Sequence, residues 1–430
     1  MRLRGSDPFP IGILIFIWLS ILPVHAQNDL RSGTGQETTL AELLAEAESQ
    51  NPELRAAAYQ RQAMQQRVRP AGALPDPLIS FGQMNTGNIV PFTTLGGNEM
   101  SRLSIGIAQD IPLFGKRDLR EKLALKESDA EFWNYESVRL RVLSDLKVAY
   151  YELYLQYRTL ESLQKNMQLL ETFEQTASAL YRVGNATQAD VLRAQTEITR
   201  LQEQIELASQ RRSAAEAQIN SLLNRPMESF MPPPALFEKA LFGRSFEELR
   251  QLALERFPLL RQQDEVIQAR QYAIALAEKE RYPDLGVMFA YHNRGGMKDL
   301  WEIGGTLRIP LYFGRKQKYE IDAAGSELSA ARQSRESLRA SLLFRLKDAY
   351  LEATTSQRLL ELLEQTIVPQ ETLTLEATSA NYQVGAADSL SVISSLVQLT
   401  MDEIRYYEYL TKFQQALARM EPIVGEELTR

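Results

Sequence analysis

Five phrases of this 430-residue chain occur twice in the same order, with the members of each pair 198 to 208 residues apart. "TLAELLAEAESQNPELR" (39–55) returns as "SFEELRQLALERFPLLR" (245–261), and "LPDPLISFG" (74–82) as "YPDLGVMFA" (282–290). "QDIPLFGKR" (109–117) is echoed by "LRIPLYFGRK" (307–316), and "LKVAYYEL" (146–153) by "LKDAYLEA" (346–353). "YRVGNATQADVLRAQ" (181–195) is echoed by "YQVGAADSLSVISS" (382–395). Such self-similarity means one structural unit built twice, and any fold must accommodate both copies. Pro226, Pro232, Pro233 and Pro234 mark the junction as a linker. The repeats therefore read as 27–225 and 245–430, with the linker at 226–244.

Each unit holds two runs that avoid helix breakers. Between Lys116 and Val183 there is neither glycine nor proline, and 188–224 is equally clean. The first run predicts a helix about 95 Å long, more than the width of a globular domain. In the second, Val191, Ala194, Ile198, Leu201, Ile205, Ala208, Ala215, Ile219 and Leu222 follow the alternating three and four spacing of a coiled-coil seam, interrupted by Arg212. The second unit predicts helices over 315–384 and 389–421, the former carrying Gly325 and a kink at Pro369. Its seam is Val392, Leu396, Leu399, Tyr406, Leu410, Phe413, Leu417 and Met420, with Glu403 as the exception.

Before each long helix the period changes to two. Trp301, Ile303, Leu307 and Ile309 alternate with Glu302, Gly304, Thr306 and Arg308. Leu285, Val287, Phe289 and Tyr291 alternate with Gly286, Met288, Ala290 and His292, and Leu103, Ile105 and Ile107 with Ser104, Gly106 and Ala108. Strand pairs are thus expected over 77–111 and 284–311. Half-buried hairpins on a soluble domain would read similarly. The lengths, though, suit tilted membrane strands of about nine to eleven residues with an apolar lipid face and a wet lumen face. Four strands cannot close a membrane barrel, so other copies of the chain must complete it; three copies would supply twelve.

The N-terminus carries Arg2 and Arg4, then "IGILIFIWLSIL", then Val24 and Ala26 at small-residue cleavage positions, which reads as a signal peptide over 1–26. The apolar run is too short for a spanning helix, which needs about twenty residues. Cysteine is absent, which excludes disulfides, thiolate metal sites, thiol nucleophiles and a lipidated N-terminal cysteine. The net charge of −7, with no basic patch, argues against a nucleic-acid partner.

The ordered set of signal peptide, two repeats, "IPLFGK" or "IPLYFG" corners and "Y-x-V-G" turns resembles the TolC family of outer-membrane efflux proteins over essentially the whole mature chain. The corner and the "LPDP" resemble the CusC and CzcC heavy-metal branch more than the drug-export branch. The resemblance implies a mainly α protomer with a transmembrane β-barrel. Its homotrimer would form a twelve-stranded barrel in the outer-membrane lipid, continued by a long helical barrel through the periplasm. It implies a passive duct, with a periplasmic adaptor (a membrane fusion protein) and an inner-membrane transporter of the RND type as partners, and neither catalysis nor cofactor. Pro112, Gly115, Pro310 and Gly314 would form the strand-to-helix corners. Arg182, Val183, Gly184, Val384 and Gly385 would form hairpin tips that meet the adaptor.

The gate is where the resemblance is incomplete. Asp190 matches an aspartate that the family holds with a tyrosine, matched by Tyr382, and with an arginine whose place is taken by Ala387. The family's two ring aspartates are replaced by Ser391 and Ser394. Asp388 lies one position past the missing arginine and could form a ring of three carboxylates, or simply cap the next helix. His292 reads as a lumen or rim residue rather than a general base. Met84, Met100, Met288 and Met297 read as packing residues before metal ligands. A drug or type I protein-secretion duct, and a periplasmic coiled-coil scaffold, are the competing readings.

Overall fold

A computed structural model describes residues 37–429 apart from 88, 238 and 241. The expected signal peptide lies outside these residues. The described chain is mainly helical, with one four-stranded antiparallel sheet in the order β1-β2-β3-β4. The strands are β1 Leu78–Met84, β2 Arg102–Ile111, β3 Asp284–Asn293 and β4 Leu300–Arg308. Each repeat opens with two short helices, α1 Leu40–Gln50 and α2 Pro52–Gly72 in the first, α5 Phe246–Arg256 and α6 Pro258–Lys279 in the second. The two openings start alike. Thr39 with Glu42, and Ser245 with Glu248, form capping boxes that satisfy the free N–H groups of the first turn. Pro52 and Pro258 then occupy first helical positions, where no N–H is needed.

The long helices are α3 Lys116–Arg182, α4 Gln188–Leu222, α7 Gln317–Leu362, α8 Val368–Gln383 and α9 Ser389–Val424. With 67 residues, α3 extends for about 100 Å. It packs against α2, α4, α6 and α9, while α7 packs against α6 and α9. In α4 the residues Ala194, Leu201, Ala208 and Ala215 are buried at strict seven-residue spacing, the signature of a coiled-coil seam. Both exceptions to the seams find partners. Arg212 lies over the Tyr157 ring and beside Glu216, and Glu403 pairs with Lys165 at 3.1 Å.

Two prolines sit within helical stretches. The helix does not end before Pro422: α9 continues to Val424. A proline cannot donate to the carbonyl four residues back, and here the Ser144 hydroxyl donates to that oxygen, Ala418 O, at 2.9 Å. At Pro369 the helix continues through a π-helical turn, Leu363–Ile367, which shifts the hydrogen-bond register where the proline offers no N–H. The junction is packed as well. Met231 is buried, Phe237 stacks on Tyr151 and Tyr154, and the Thr38 N–H donates to Pro233 O.

The sheet sorts most of its side chains by face. Ile79 and Phe81 share a face with Ile105, Ile107, Val287, Phe289, Trp301, Ile303 and Leu307, whereas Ser80, Gly82, Ser104, Gly106, Ala290 and Glu302 lie on the other. Among the described residues nothing covers the apolar face: Phe81 is 79% exposed and Ile303 85%. Among the described residues no helix is long and apolar enough to cross a membrane.

Candidate functional site

Two regions carry the residues singled out above, the hairpin tips and the strand-to-helix corners. At the tips each first helix ends in the same way. Gly184 and Gly385 adopt left-handed φ angles of 81° and 74°. Their N–H groups donate to Tyr181 O and Tyr382 O, while Asn185 and Ala386 donate to Leu180 O and Asn381 O. These are two Schellman turns, and only glycine takes that backbone angle at little cost. The turns leave Arg182 exposed and bring Val183 and Val384 outward, 69% and 78% exposed. Apolar side chains displayed on a polar turn are what a docking surface requires.

The second helices start with mirror-image caps. On α4, Thr187 is the N-cap and Asp190 the third residue, joined as a capping box. On α9 the carboxylate has moved to the N-cap: Asp388 accepts from the Ser391 N–H at 2.9 Å and from its hydroxyl. The capping role weighed for Asp388 is therefore present. Ser394, exposed like Ser391, bonds back to Leu390 O.

Tyr382 does not hold Asp190 in this chain. Its ring packs on Phe173 at 5.0 Å, and among the described residues its buried hydroxyl has no hydrogen-bond partner. Asp190 Oδ1 instead accepts from the buried Ser389 hydroxyl, which joins the two hairpins across the tip. Partial burial pushes the Asp190 carboxyl up, but donation from Ser389 and Thr187, with Arg193 nearby, outweighs it and holds the pKa below the usual carboxylate range. The hydroxyl and N–H of Ser391 likewise hold Asp388 low. Ser389 was not foreseen. The T-x-x-D spacing announces Thr187 as a cap, but nothing local couples two residues 199 positions apart.

At the corners, Pro112 and Pro310 end their strands. Gly115 is the left-handed N-cap of α3 with φ 79°. Lys116 follows it into the interior, where its ammonium meets Tyr282 O at 2.9 Å, Asp284 Oδ1 at 2.9 Å and Glu280 Oε2 at 3.2 Å. The Leu113 N–H donates to the same Asp284 carboxylate. The first repeat's corner is thereby bolted to the second repeat's first strand. The Gly314 corner is built otherwise: Gly314 is not left-handed, and Arg315 and Lys316 are exposed.

His292 is buried on the polar face of the sheet, between Ser104 Oγ at 2.7 Å and Glu302 Oε2 at 2.9 Å. Neighbours on both flanking strands thus occupy both ring nitrogens. Among the described residues there is no cluster of three histidines or acids that could hold a metal ion.

The profile of the family described as outer membrane efflux protein matches residues 43–225 and 249–426. The cobalt-zinc-cadmium resistance protein CzcC of Cupriavidus metallidurans is 22% identical over 394 residues, covering 90% of each chain. Nodulation protein T of Rhizobium leguminosarum bv. trifolii is 20% identical over 378 residues, 83% of this chain and 79% of that one. The solved structure of CusC superposes with a TM-score of 0.78 at 15% identity, over 92% and 95% of the two chains. VceC of Vibrio cholerae superposes at 0.77 and 18%, over 90% and 96%.

Proposed function

The chain belongs to the outer membrane efflux protein family, and from that premise we propose that three copies form one passive duct through the outer membrane and periplasm. The observation that carries this reading is the sheet. Among the described residues its apolar face is bare and its β1 and β4 edges are unpaired, and it is continuous with helices far too long for a globular domain. An open sheet edge in lipid is not tolerated, and three four-stranded sheets make a twelve-stranded barrel within the usual range. The helices continue it as a periplasmic tube, whose far end carries the paired tips.

On this reading the tips close the duct and receive a periplasmic adaptor, with Val183 and Val384 as the apolar contacts beside Arg182, Gly184 and Gly385. An inner-membrane pump of the RND type supplies the energy. Asp190, Tyr382, Asp388, Ser391 and Ser394 line the gate region, and threefold repetition would set three Asp388 carboxylates around the mouth. The likeness to a cobalt-zinc-cadmium resistance protein supports divalent metal cations as cargo. Fractionation to the outer membrane with heat-modifiable migration is expected; a periplasmic, heat-insensitive chain would favour the scaffold reading instead. In lipid bilayers, divalent cations should block the channel, and Asp388→Ala should relieve the block. Unchanged block in that variant removes the carboxylate ring, and cation-independent conductance in the parent removes the metal cargo in favour of drug or protein export.

A further inference from the structure

Inside one chain the β2–β3 seam joins the end of the first hairpin to the start of the second. Repetition makes that seam a template for the one that must join β4 to the next copy's β1. "RLSIGIAQDIP" (102–112) maps onto "LWEIGGTLRIP" (300–310) at a spacing of 198 residues, and "PDPLISFGQMN" (75–85) onto "PDLGVMFAYHN" (283–293) at 208. The observed pairs Gly106↔Ala290, Ile107↔Phe289, Ala108↔Met288 and Gln109↔Val287 then become Gly304↔Gly82, Gly305↔Phe81, Thr306↔Ser80 and Leu307↔Ile79.

This register passes a test not used to derive it. A slip of one residue would place every side chain on the wrong face. Here Phe81 and Ile79 meet Gly305 and Leu307 on the apolar face, and Gly82 and Ser80 meet Gly304 and Thr306 on the polar one. Bulk also meets open space: the exposed Phe81 ring falls over the bare Gly305.

The corner gives a second, independent sign. Aligning the Phe-Gly of the two corners makes Arg315 the twin of Lys116, and aligning the Pro-Asp makes Asp76 the twin of Asp284. Lys116 and Asp284 are joined inside the chain. Arg315 and Asp76 are both exposed, and among the described residues neither has an ion-pair partner. Two positions after Arg315, Gln317 is buried, and among the described residues its Oε1 has no partner. One copy thus offers a free cation at one edge of its sheet and a free carboxylate at the other.

We propose that β4 pairs with β1 of a second copy in the Thr306-to-Ser80 register, and that Arg315 clasps that copy's Asp76 as Lys116 clasps Asp284. The proposal rests on the barrel reading above and fixes how the barrel closes. The guanidinium fork can engage the carboxylate and also the neighbouring Leu74 carbonyl, the twin of Tyr282 O.

The cysteine-free chain allows a direct test in outer-membrane preparations. Oxidised Ser80→Cys/Thr306→Cys should give covalent dimers and trimers that reductant collapses. Ser80→Cys/Gly304→Cys and Ser80→Cys/Arg308→Cys should give several-fold less, because directly opposed Cβ atoms lie about 5 Å apart and diagonal ones about 7 Å. Stronger cross-linking in a shifted pair overturns the register while leaving the barrel intact. Trimers seen with a lysine cross-linker but with none of the cysteine pairs overturn the β4–β1 seam. Absence of any oligomer, with no heat-modifiable form, overturns the barrel reading itself. Asp76→Arg and Arg315→Asp should each lower the yield of detergent-resistant trimer, and the double variant should restore it. Failure of that rescue, with the cysteine pairs still cross-linking, removes the clasp and leaves the register.

Discussion

The two repeats share their phrases but not their finish, and the difference separates groups satisfied within the chain from groups left exposed. The first corner is satisfied within the chain, its lysine buried against carboxylates of the second repeat. The second corner is left open. The long helices diverge similarly. Lys147 of "LKVAYYEL" is buried and holds Glu421, Glu427 and Thr429 near the C-terminus, whereas its twin Lys347 sits over the Phe246 ring at 4.3 Å. The tips exchange donor and acceptor: hydroxyl at the cap and carboxylate three residues on in the first, the reverse in the second. At the tips the duplicated sequence thus preserves backbone geometry, while side-chain chemistry is free to specialise.

The contrast between the lysines yields the largest expected effect. Lys147→Met should cost about 3–5 kcal/mol, because it deprives Glu421, whose side chain is 12% exposed, of its buried ammonium partner. Lys347→Met should cost about 0.5–2 kcal/mol, the scale of a cation–π contact. Denaturant melts of the two variants compare them directly, and equal losses would mean that burial at 147 carries no special role. The core beside them should not discriminate. Leu146→Ala and Leu346→Ala, both fully buried twins, should each cost about 2–5 kcal/mol in the same assay. A smaller effect belongs to the tips, where Gly184→Ala and Gly385→Ala should each cost about 1–2 kcal/mol through the left-handed backbone. Faster protease nicking at both tips would report it, and nicking at one alone would show that the two turns are not equivalent.

Smallest is the bond between the hairpins. Ser389→Ala should remove about 0.5–1.5 kcal/mol, read as a broader distance distribution between spin labels at Val183 and Val384. The pH dependence has a fixed sign. Both tip carboxylates have folded pKa values below the ordinary range, so their stabilisation is complete above that range and is lost as pH falls through the folded values. The parent's label distances should therefore broaden on acidification, and broadening on alkalinisation instead would contradict the assignment of the link to Asp190.

Much of this was legible in the order of residues. The seams of α4 and α9, the strand alternation and the glycine turns each follow from a period or a backbone requirement that acts locally. Ser389, Lys147 and Lys116 were not legible, because each is defined by a partner brought near by folding rather than by its own neighbours. The sequence reading also ended the last helix at 421, short of Pro422, and cast Tyr382 as the partner of Asp190. Whether a proline is tolerated depends on who takes the freed carbonyl, here Ser144 from another helix. Whether a tyrosine reaches an aspartate depends on a competing serine.

The unbroken run of α3 has an evolutionary corollary. A single residue inserted into it would advance everything beyond by about 1.5 Å and turn it by about 100° about the axis, which would swing the tip away from partners that the sheet end still addresses correctly. Seven residues inserted together come nearly back into phase, missing by only about 20°. If the chain spans a compartment as proposed, its reach should therefore change in steps of about two helical turns, made in both repeats at once, and relatives of intermediate length should be rare.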